Sequence, residues 1–195
     1  MNLPNKLTVL RLVLTILIII ILLFPFDTMG MGLPKLFINE VLVIDTKYII
    51  SGILFVLASF TDTLDGYLAR KLNLVTDLGK MMDSIADKVL VDSVLIILAS
   101  YGFIHPIIPV VIVLRDIVVD AIKMAAGNKG VVVAAIMSGK IKSFLLMFGI
   151  SLTLFYNLPF ELWNLRVSDF ILIVAAILAL TSSVEYFNKY KKYMV

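Results

Sequence analysis

The chain has 195 residues, of which 61% are hydrophobic and 16% are charged, and its mean hydropathy is +1.06. Soluble proteins average about 45–50% apolar and about 25% charged residues, so this composition excludes soluble, disordered and disulfide-rich folds and indicates an integral membrane protein built from helices. The formal net charge is +3, which in a membrane protein indicates basic loops at an anionic lipid surface and argues against nucleic-acid binding.

Apolar runs close to the roughly 20 residues that span a bilayer follow one another along the chain. They cover residues 7–26, 47–69, 80–102, 105–126, 137–157 and 168–187. No small-residue cleavage site follows the first run, so we expect it to persist as a helix and not to be a signal peptide. Gly30, Gly32 and Pro34 interrupt the chain after that run. We therefore expect an all-α fold, with one domain over residues 1–195 that forms an integral membrane bundle of six transmembrane helices.

The distribution of lysine and arginine predicts the orientation in the membrane. Of the 17 lysine and arginine residues, twelve fall on the side that contains both termini, three fall on the opposite side, and Lys88 and Arg115 fall inside predicted helices. Because basic segments are retained in the cytoplasm, both termini are expected to be cytoplasmic. The protein is thus expected to be a multi-pass protein of the cell membrane in contact with membrane lipids.

Acidic and small residues concentrate where the second predicted helix ends and the third begins. At about 100° per residue, each helix presents one face that carries two carboxylates beside small side chains. These faces comprise Asp62, Asp65, Gly66 and Ala69 on the second helix, and Gly79, Asp83 and Asp87 on the third. A short connection makes the two helices antiparallel neighbours, so the four carboxylates are expected to converge at the cytoplasmic boundary.

A charge inside a membrane helix costs about 2.5–3.5 kcal/mol, so four converging carboxylates require partners. The chain has no cysteine and one histidine, His105, which leaves oxygen ligands and favours a hard divalent ion such as Mg²⁺, Mn²⁺ or Ca²⁺. The small residues on the same faces would admit a phosphate-bearing ligand close to the backbone. Two alternatives stay open for the four carboxylates. They could form a solvated network of ion pairs with nearby lysine and arginine residues, or they could line the ion pathway of a transporter.

The spacing of this constellation resembles the signature of the CDP-alcohol phosphotransferase family. All eight positions of the pattern are filled, and they read Asp62-x2-Asp65-Gly66-x2-Ala69-Arg70-x8-Gly79-x3-Asp83-x3-Asp87. Further segments are similar to the bacterial phosphatidylglycerophosphate synthase branch of that family. They are Asn2 to Thr8 with Arg11, Ala86-Asp87-Lys88, Arg115, and Gly139 to Ser143.

The resemblance implies a six-helix membrane enzyme, usually a homodimer, that transfers the phosphatidyl group of CDP-diacylglycerol to an alcohol and releases CMP. For this branch the implied alcohol is sn-glycerol 3-phosphate. The resemblance also implies two divalent ions, Mg²⁺ or Mn²⁺, held by the four aspartates, with Asp87 as general base. The residues that it implies around the CDP moiety are Asn5, Thr8, Gly66, Ala69, Arg70 and Gly79.

The candidate acceptor-binding cations lie in the fourth and fifth predicted helices. Arg115 is inside the fourth helix, and Lys140 and Lys142 are at the cytoplasmic start of the fifth. Each could bind the phosphate of the acceptor. The alternatives are that Arg115 pairs with Asp116 and that the two lysines are positive-inside anchors.

Two further aspartates are expected to form local ion pairs within their own helices. Asp120 would repel a phosphorylated alcohol if it faced the cavity, so we expect it to pair with Lys123, three residues later. Asp92 follows Lys88 by four residues and is expected to be its structural partner.

Two alternative functions stay open at this point. One is the same chemistry with another alcohol, such as an inositol phosphate or phosphatidylglycerol, and the other is a small cation transporter.

Overall fold

The computed structural model describes residues 3–26, 29–30, 32–38, 42–71, 77–131, 133–134 and 136–193. Within these ranges the predicted helices are confirmed close to their expected bounds. They are α1 (Leu3–Leu23), α2 (Thr46–Lys71), α3 (Asp77–Ser100), α4 (Ile107–Asn128), α5 (Met137–Leu154) and α6 (Val167–Tyr190). Short 3₁₀ turns cover Phe160–Trp163, before α6, and Lys191–Tyr193, after it.

Three of the helices are long and apolar enough to cross a membrane, judged over the described residues. The segments are Asn5–Leu23, Met137–Leu154 and Val167–Tyr193. The other helices, α2, α3 and α4, have 26, 24 and 22 residues, but each also carries charged side chains. The fold is therefore a helical bundle of the kind expected for a membrane protein.

A small hairpin between α1 and α2 was not predicted from the sequence. Strand β1 (Lys35–Ile38) pairs antiparallel with β2 (Leu42–Asp45), and Lys35 lies opposite Asp45. The Nζ atom of Lys35 is 3.7 Å from Oδ1 of Asp45. Both strands are rich in the aromatic and β-branched residues that favour extended backbone, so the all-α expectation is corrected in this connection.

Helix α1 packs along both α2 and α3, whereas α2 and α3 touch each other only slightly over their described residues. The expectation that α2 and α3 lie side by side is therefore corrected. A short connection brings two helix ends together, but the apolar surface available for packing decides which helices pack along their lengths. Ile18 and Leu22 of α1 are fully buried in a core that includes Phe55 of α2 and Leu90 of α3.

The second half of the bundle is formed by α4 and α5, each packed against α6. Gly149 of α5 lies so close to α6 that a Cβ atom built on it would be 2.8 Å from Cδ2 of Leu172. Small residues at a helix interface permit this close approach of two backbones. The packing of α5 on α6 thus depends on the absence of a side chain at Gly149.

The two ends of the bundle differ in chemistry. At one end the rings of Tyr48, Phe103 and Tyr156 pack with centroid distances of 4.8 to 5.6 Å, and the hydroxyl of Tyr101 donates a 2.9 Å hydrogen bond to the carbonyl of Leu22. These residues lie at the ends of α1, α3 and α5 and at or near the starts of α2 and α4. Successive helices therefore alternate in direction along α1 to α5, and the charged segments of the sequence meet at the opposite end.

Candidate active site

A cavity of about 650 Å³ opens at the charged end of the bundle. Its walls come from the end of α2, the start of α3, the second half of α4, the start of α5 and the end of α6. The polar and glycine residues among its lining are Asp62, Gly66, Asp83, Ser84, Asp87, Lys88, Arg115, Asp116, Lys123, Gly139, Lys140, Lys142, Ser143 and Tyr186. Three of the four signature aspartates and the three candidate acceptor cations thus face one cavity.

The carboxylates of Asp62 and Asp83 meet at a buried arginine of α1. The Nη1 atom of Arg11 is 2.5 Å from Oδ1 of Asp62 and 2.9 Å from Oδ1 of Asp83. The Arg11 side chain is fully buried, whereas those of Asp62 and Asp83 are 27% and 44% exposed. Because α1 packs on both α2 and α3, its guanidinium joins two carboxylates that lie on different helices.

Asp87 lies one turn beyond Asp83 on α3 and also lines the cavity. Its Oδ1 atom is buried and has no hydrogen-bond partner among the described residues. A void of about 10 Å³, the size of a single water, lies between Asp87, Asp116 and Lys142. Asp87 therefore lies next to Asp83 on one side and next to Asp116 and Lys142 on the other.

The donor atoms suit a hard divalent ion, because the described side chains offer carboxylate oxygens and neither thiolate nor imidazole nitrogen. The orphaned Oδ1 of Asp87 is consistent with a ligand for such an ion. Within the described part of the chain, no three acidic or histidine side chains are close enough to form a ready metal site. The side chain of Asp65, a fourth expected ligand, lies outside the described residues.

The side of the cavity formed by α4 and α5, called here the cationic wall, holds a buried group of two cations and one carboxylate, namely Arg115, Lys142 and Asp116. The Nζ atom of Lys142 is 3.0 and 3.1 Å from the two carboxylate oxygens of Asp116, and Nη1 of Arg115 is 2.7 Å from Oδ1 of the same group. The side chains of Lys142, Arg115 and Asp116 are 5%, 10% and 11% exposed. The structure is thus compatible with both hypotheses for Arg115, pairing with Asp116 and binding of an acceptor phosphate, since Arg115 pairs with Asp116 and also lines the cavity.

Arg115 is held in place by α6 and by the start of α5. Its Nε and Nη2 atoms donate hydrogen bonds of 3.1 and 2.8 Å to the hydroxyl of Ser182. Its guanidinium carbon lies 5.9 Å from the centre of the Tyr186 ring, and a Cβ built on Gly139 would be 3.4 Å from Nη2. A Cβ at position 139 would therefore be in van der Waals contact with the guanidinium.

The local ion pairs expected for Asp92 and Asp120 are wrong. Lys88 forms its ion pair and hydrogen bond with Asp120 of α4, and not with Asp92 of its own helix. The Oδ1 atom of Asp92 is buried and accepts no hydrogen bond within the part of the chain that the structure describes. Lys123, the expected partner of Asp120, lines the cavity instead. The negative charge of Asp120 is nevertheless balanced by Lys88. Asp120 is therefore not expected to repel a phosphorylated ligand.

The residues expected around the CDP moiety are only partly brought together. Gly66 lines the cavity, while Thr8 is buried and Asn5 and Gly79 are half-buried outside the lining that the described residues form. The side chains of Ala69 and Arg70 lie outside the described residues. The expected donor subsite thus stays a prediction, and of its residues only Gly66 is among the described lining of the cavity.

Sequence reasoning missed the contacts that Arg11, Ser182 and Tyr186 make at the site. It considered Asp116 as a partner of Arg115 but not of Lys142. Arg11 entered only through the family resemblance, and Ser182 and Tyr186 are 67 and 71 residues from Arg115 along the chain. One general signal was available, because a charged residue within an apolar helix requires a nearby partner. That signal identifies the need for a partner but not the partner itself.

Comparison with known proteins agrees with the signature. The family model described as CDP-alcohol phosphatidyltransferase matches residues 1–181. The chain is 41% identical over 188 residues to a protein of Bacillus subtilis (strain 168), covering 96% of this chain and 94% of the relative. It is 36% identical over 193 residues to a protein of Rickettsia bellii (strain RML369-C), covering 98% and 97%.

A third relative, from Mycoplasma pneumoniae (strain ATCC 29342 / M129 / Subtype 1), is 36% identical over 154 residues, covering 79% of this chain and 68% of the relative. All three relatives carry the name CDP-diacylglycerol–glycerol-3-phosphate 3-phosphatidyltransferase. The resemblance noted from the spacing of the aspartates is thereby confirmed.

Proposed function

The chain belongs to the CDP-alcohol phosphatidyltransferase family, and on that premise we propose that it transfers the phosphatidyl group of CDP-diacylglycerol to sn-glycerol 3-phosphate, giving phosphatidylglycerophosphate and CMP. The observation that carries the proposal is the single cavity in which Asp62, Asp83 and Asp87 face Arg115 and Lys142. One wall suits a metal-bound diphosphate and the other suits the phosphate of the acceptor. The identical names of three relatives support this choice of donor and acceptor.

The side of the cavity lined by Asp62, Asp83 and Asp87, called here the acidic wall, is proposed to hold two divalent ions, Mg²⁺ or Mn²⁺. The proposed ligands are Asp62, Asp65, Asp83 and Asp87. When bound, these ions would neutralise charge on the diphosphate and polarise the phosphorus that is attacked. The CDP moiety is proposed to lie against residues at the site ends of α1, α2 and α3. These are Asn5, Thr8, Gly66, Ala69, Arg70 and Gly79.

Asp87 is proposed as the general base. Its carboxylate would take the proton of the acceptor hydroxyl as the hydroxyl oxygen bonds to the phosphorus and the bond from that phosphorus to the CMP oxygen breaks. The orphaned Oδ1 of Asp87, which lies next to the cationic wall, supports this assignment. A neutral amide at this position could not accept the proton.

The cationic wall is proposed to hold the phosphate of the acceptor. Arg115 and Lys142 share one carboxylate, Asp116, so the group of three carries one net positive charge. Lys140 lines the cavity and is exposed, and it adds a further charge near the opening. Because Asp120 is paired with Lys88, it does not oppose a phosphorylated alcohol.

We further propose that all six helices cross the cell membrane and that both termini and the cavity face the cytoplasm. A donor with two acyl chains could then react without leaving the bilayer. The chain has no native cysteine, so K35C and K189C each provide a single site for a membrane-impermeant maleimide. In intact cells K35C should be labelled and K189C should not, and the opposite result would reverse the orientation.

The protein is also proposed to be a homodimer. Its mass in detergent, measured by light scattering, tests this proposal.

The decisive test of the function is an assay of the purified protein in detergent. CDP-diacylglycerol, Mg²⁺ or Mn²⁺ and one candidate alcohol are supplied together, and CMP and the lipid product are measured. CMP release with glycerol 3-phosphate, and not with an inositol phosphate or phosphatidylglycerol, is expected. Release with a different alcohol would change the acceptor, and no release with any alcohol, together with metal uptake into liposomes, would favour a transporter.

A further inference from the structure

Arg11 is a fully buried cation in an otherwise apolar stretch of α1. It lies within ion-pair distance of two of the signature carboxylates, Asp62 at 2.5 Å and Asp83 at 2.9 Å. One nitrogen, Nη1, makes both contacts. A single side chain of α1 therefore fixes the distance between a carboxylate on α2 and a carboxylate on α3.

Arg11 contacts the two carboxylates from outside the described lining of the cavity. Asp62 and Asp83 line the cavity and are partly exposed, whereas Arg11 is fully buried and is not among the described residues of the lining. A carboxylate has two oxygens with about four lone-pair sites. Contact with Arg11 through Oδ1 uses part of that capacity, so an ion in the cavity could bind each carboxylate while Arg11 holds it from the packed side.

The charge of Arg11 is also permanent. A guanidinium is not deprotonated in a protein, and without it two close carboxylates would repel each other in a membrane-embedded site of low dielectric. In metalloproteins, hydrogen-bonded partners behind the ligands orient them, and loss of such a partner typically weakens metal binding about 10–100-fold.

We propose that Arg11 is a positioning residue that holds Asp62 and Asp83 at a fixed separation from behind and so prepares them to bind a divalent cation from the cavity. The inference rests on the proposed function only in assigning a metal to these carboxylates. It adds that the affinity for the metal depends on a residue of α1 that is not among the described residues lining the cavity.

The test measures Mn²⁺ binding by electron paramagnetic resonance in detergent without donor or acceptor, so that turnover plays no part. Relative to the parent, R11Q should bind Mn²⁺ about 10–100-fold more weakly. R11K keeps the charge but lacks the planar fork, and its affinity should lie between those of R11Q and the parent. K189Q is the matched control, because it removes one exposed positive charge from α6 near the same end of the bundle, and it should bind Mn²⁺ as the parent does.

A second readout separates a metal-directed role from a merely structural one. The increase in Tm on adding saturating Mn²⁺ should be smaller in R11Q and R11K than in the parent, whereas a structural role would lower Tm equally with and without Mn²⁺. If R11Q does not fold, the affinity and Tm of R11K decide. Unchanged or tighter Mn²⁺ binding in the folded variants would overturn the inference and leave CMP release by the parent, and with it the proposed function, intact. Absence of CMP release by a parent protein that binds Mn²⁺ would overturn the function alone.

Discussion

Lys142 of α5 and Asp116 of α4 form a buried ion pair in which Nζ lies 3.0 and 3.1 Å from the two carboxylate oxygens. The Nη1 atom of Arg115 lies 2.7 Å from Oδ1 of the same Asp116 carboxylate. Burying two charges costs free energy, so a buried ion pair does not by itself show that the fold is stabilised. Removing one partner destabilises the protein, because the other charge is then buried without compensation. The arrangement holds two cations at the cavity wall with one charge in excess, which suits a phosphate.

Replacing Asp116 tests whether this shared carboxylate organises the wall. D116N removes the negative charge between Arg115 and Lys142, and loss of one member of a buried ion pair costs about 3–5 kcal/mol. We expect a clear decrease of Tm in detergent and an increase of the KM for glycerol 3-phosphate. D169N is the control, because Asp169 lies 3.8 Å from an Arg166 that is 85% exposed, and such surface pairs contribute little. A D116N protein as stable as D169N would contradict the role.

The two hydrogen bonds from Arg115 to Ser182 predict a specific effect on acceptor binding. S182A should raise the KM for glycerol 3-phosphate about tenfold, because hydrogen bonds to a charged group contribute about 1.5 kcal/mol or more. The KM for CDP-diacylglycerol should not change, and S182T, which retains a hydroxyl, should restore most of the affinity.

Ser183 provides a close control for that experiment. The hydroxyls of Ser182 and Ser183 both donate to the carbonyl of Ala179, at 2.9 and 3.1 Å, but the bonds from Arg115 go to Ser182. S183A should therefore leave both KM values at the parental level. Equal changes in S182A and S183A would mean that α6 packing, and not the orientation of Arg115, controls the acceptor KM.

The assignment of Asp87 as general base predicts a loss of turnover without loss of binding. D87N should lower kcat by about 10²–10⁴, the usual contribution of a positioned base, while Mn²⁺ and donor binding are largely kept. D83N should weaken Mn²⁺ binding as well. D92N is the matched control, because Asp92 is on the same helix and also has a buried Oδ1 without a partner, yet it is not part of the described cavity lining. Parental kcat in D87N would remove Asp87 from the base role.

The contact between Gly149 and Leu172 predicts how the α5–α6 interface responds to added bulk. A Cβ at position 149 would lie 2.8 and 2.9 Å from two carbons of Leu172, and overpacking of this kind costs about 1–3 kcal/mol. G149A should therefore lower Tm. A Cβ built on Gly127, in α4, meets no atom within 4 Å, so G127A should leave Tm unchanged or raise it slightly through helix propensity. An equal decrease of Tm in both variants would contradict the packing argument.

The helices and the carboxylate faces were predictable from the sequence because both depend on local periodicity. The apolar runs gave α1 to α6 close to their bounds, and the spacing of Asp62, Asp83 and Asp87 gave a cluster that faces one cavity. The hairpin at 35–38 and 42–45 was missed because its strands are short and lie between two long apolar runs, where interruption by glycine and proline was the stronger signal.

The partners of the buried charges were decided only by tertiary structure. Helical periodicity determines which residues share a face, but not which other helix that face meets. Local pairing of Lys88 with Asp92 was wrong because α4 brings Asp120 to Lys88 from 32 residues away. In the same way, α1 brings Arg11 to Asp83 from 72 residues away. The membrane class, the helix bounds and the family signature thus follow from the sequence alone. The ion pairs that shape the site depend on how helices distant along the chain pack together. The reason is that an apolar helix accepts a charge only where another helix supplies the counter-ion.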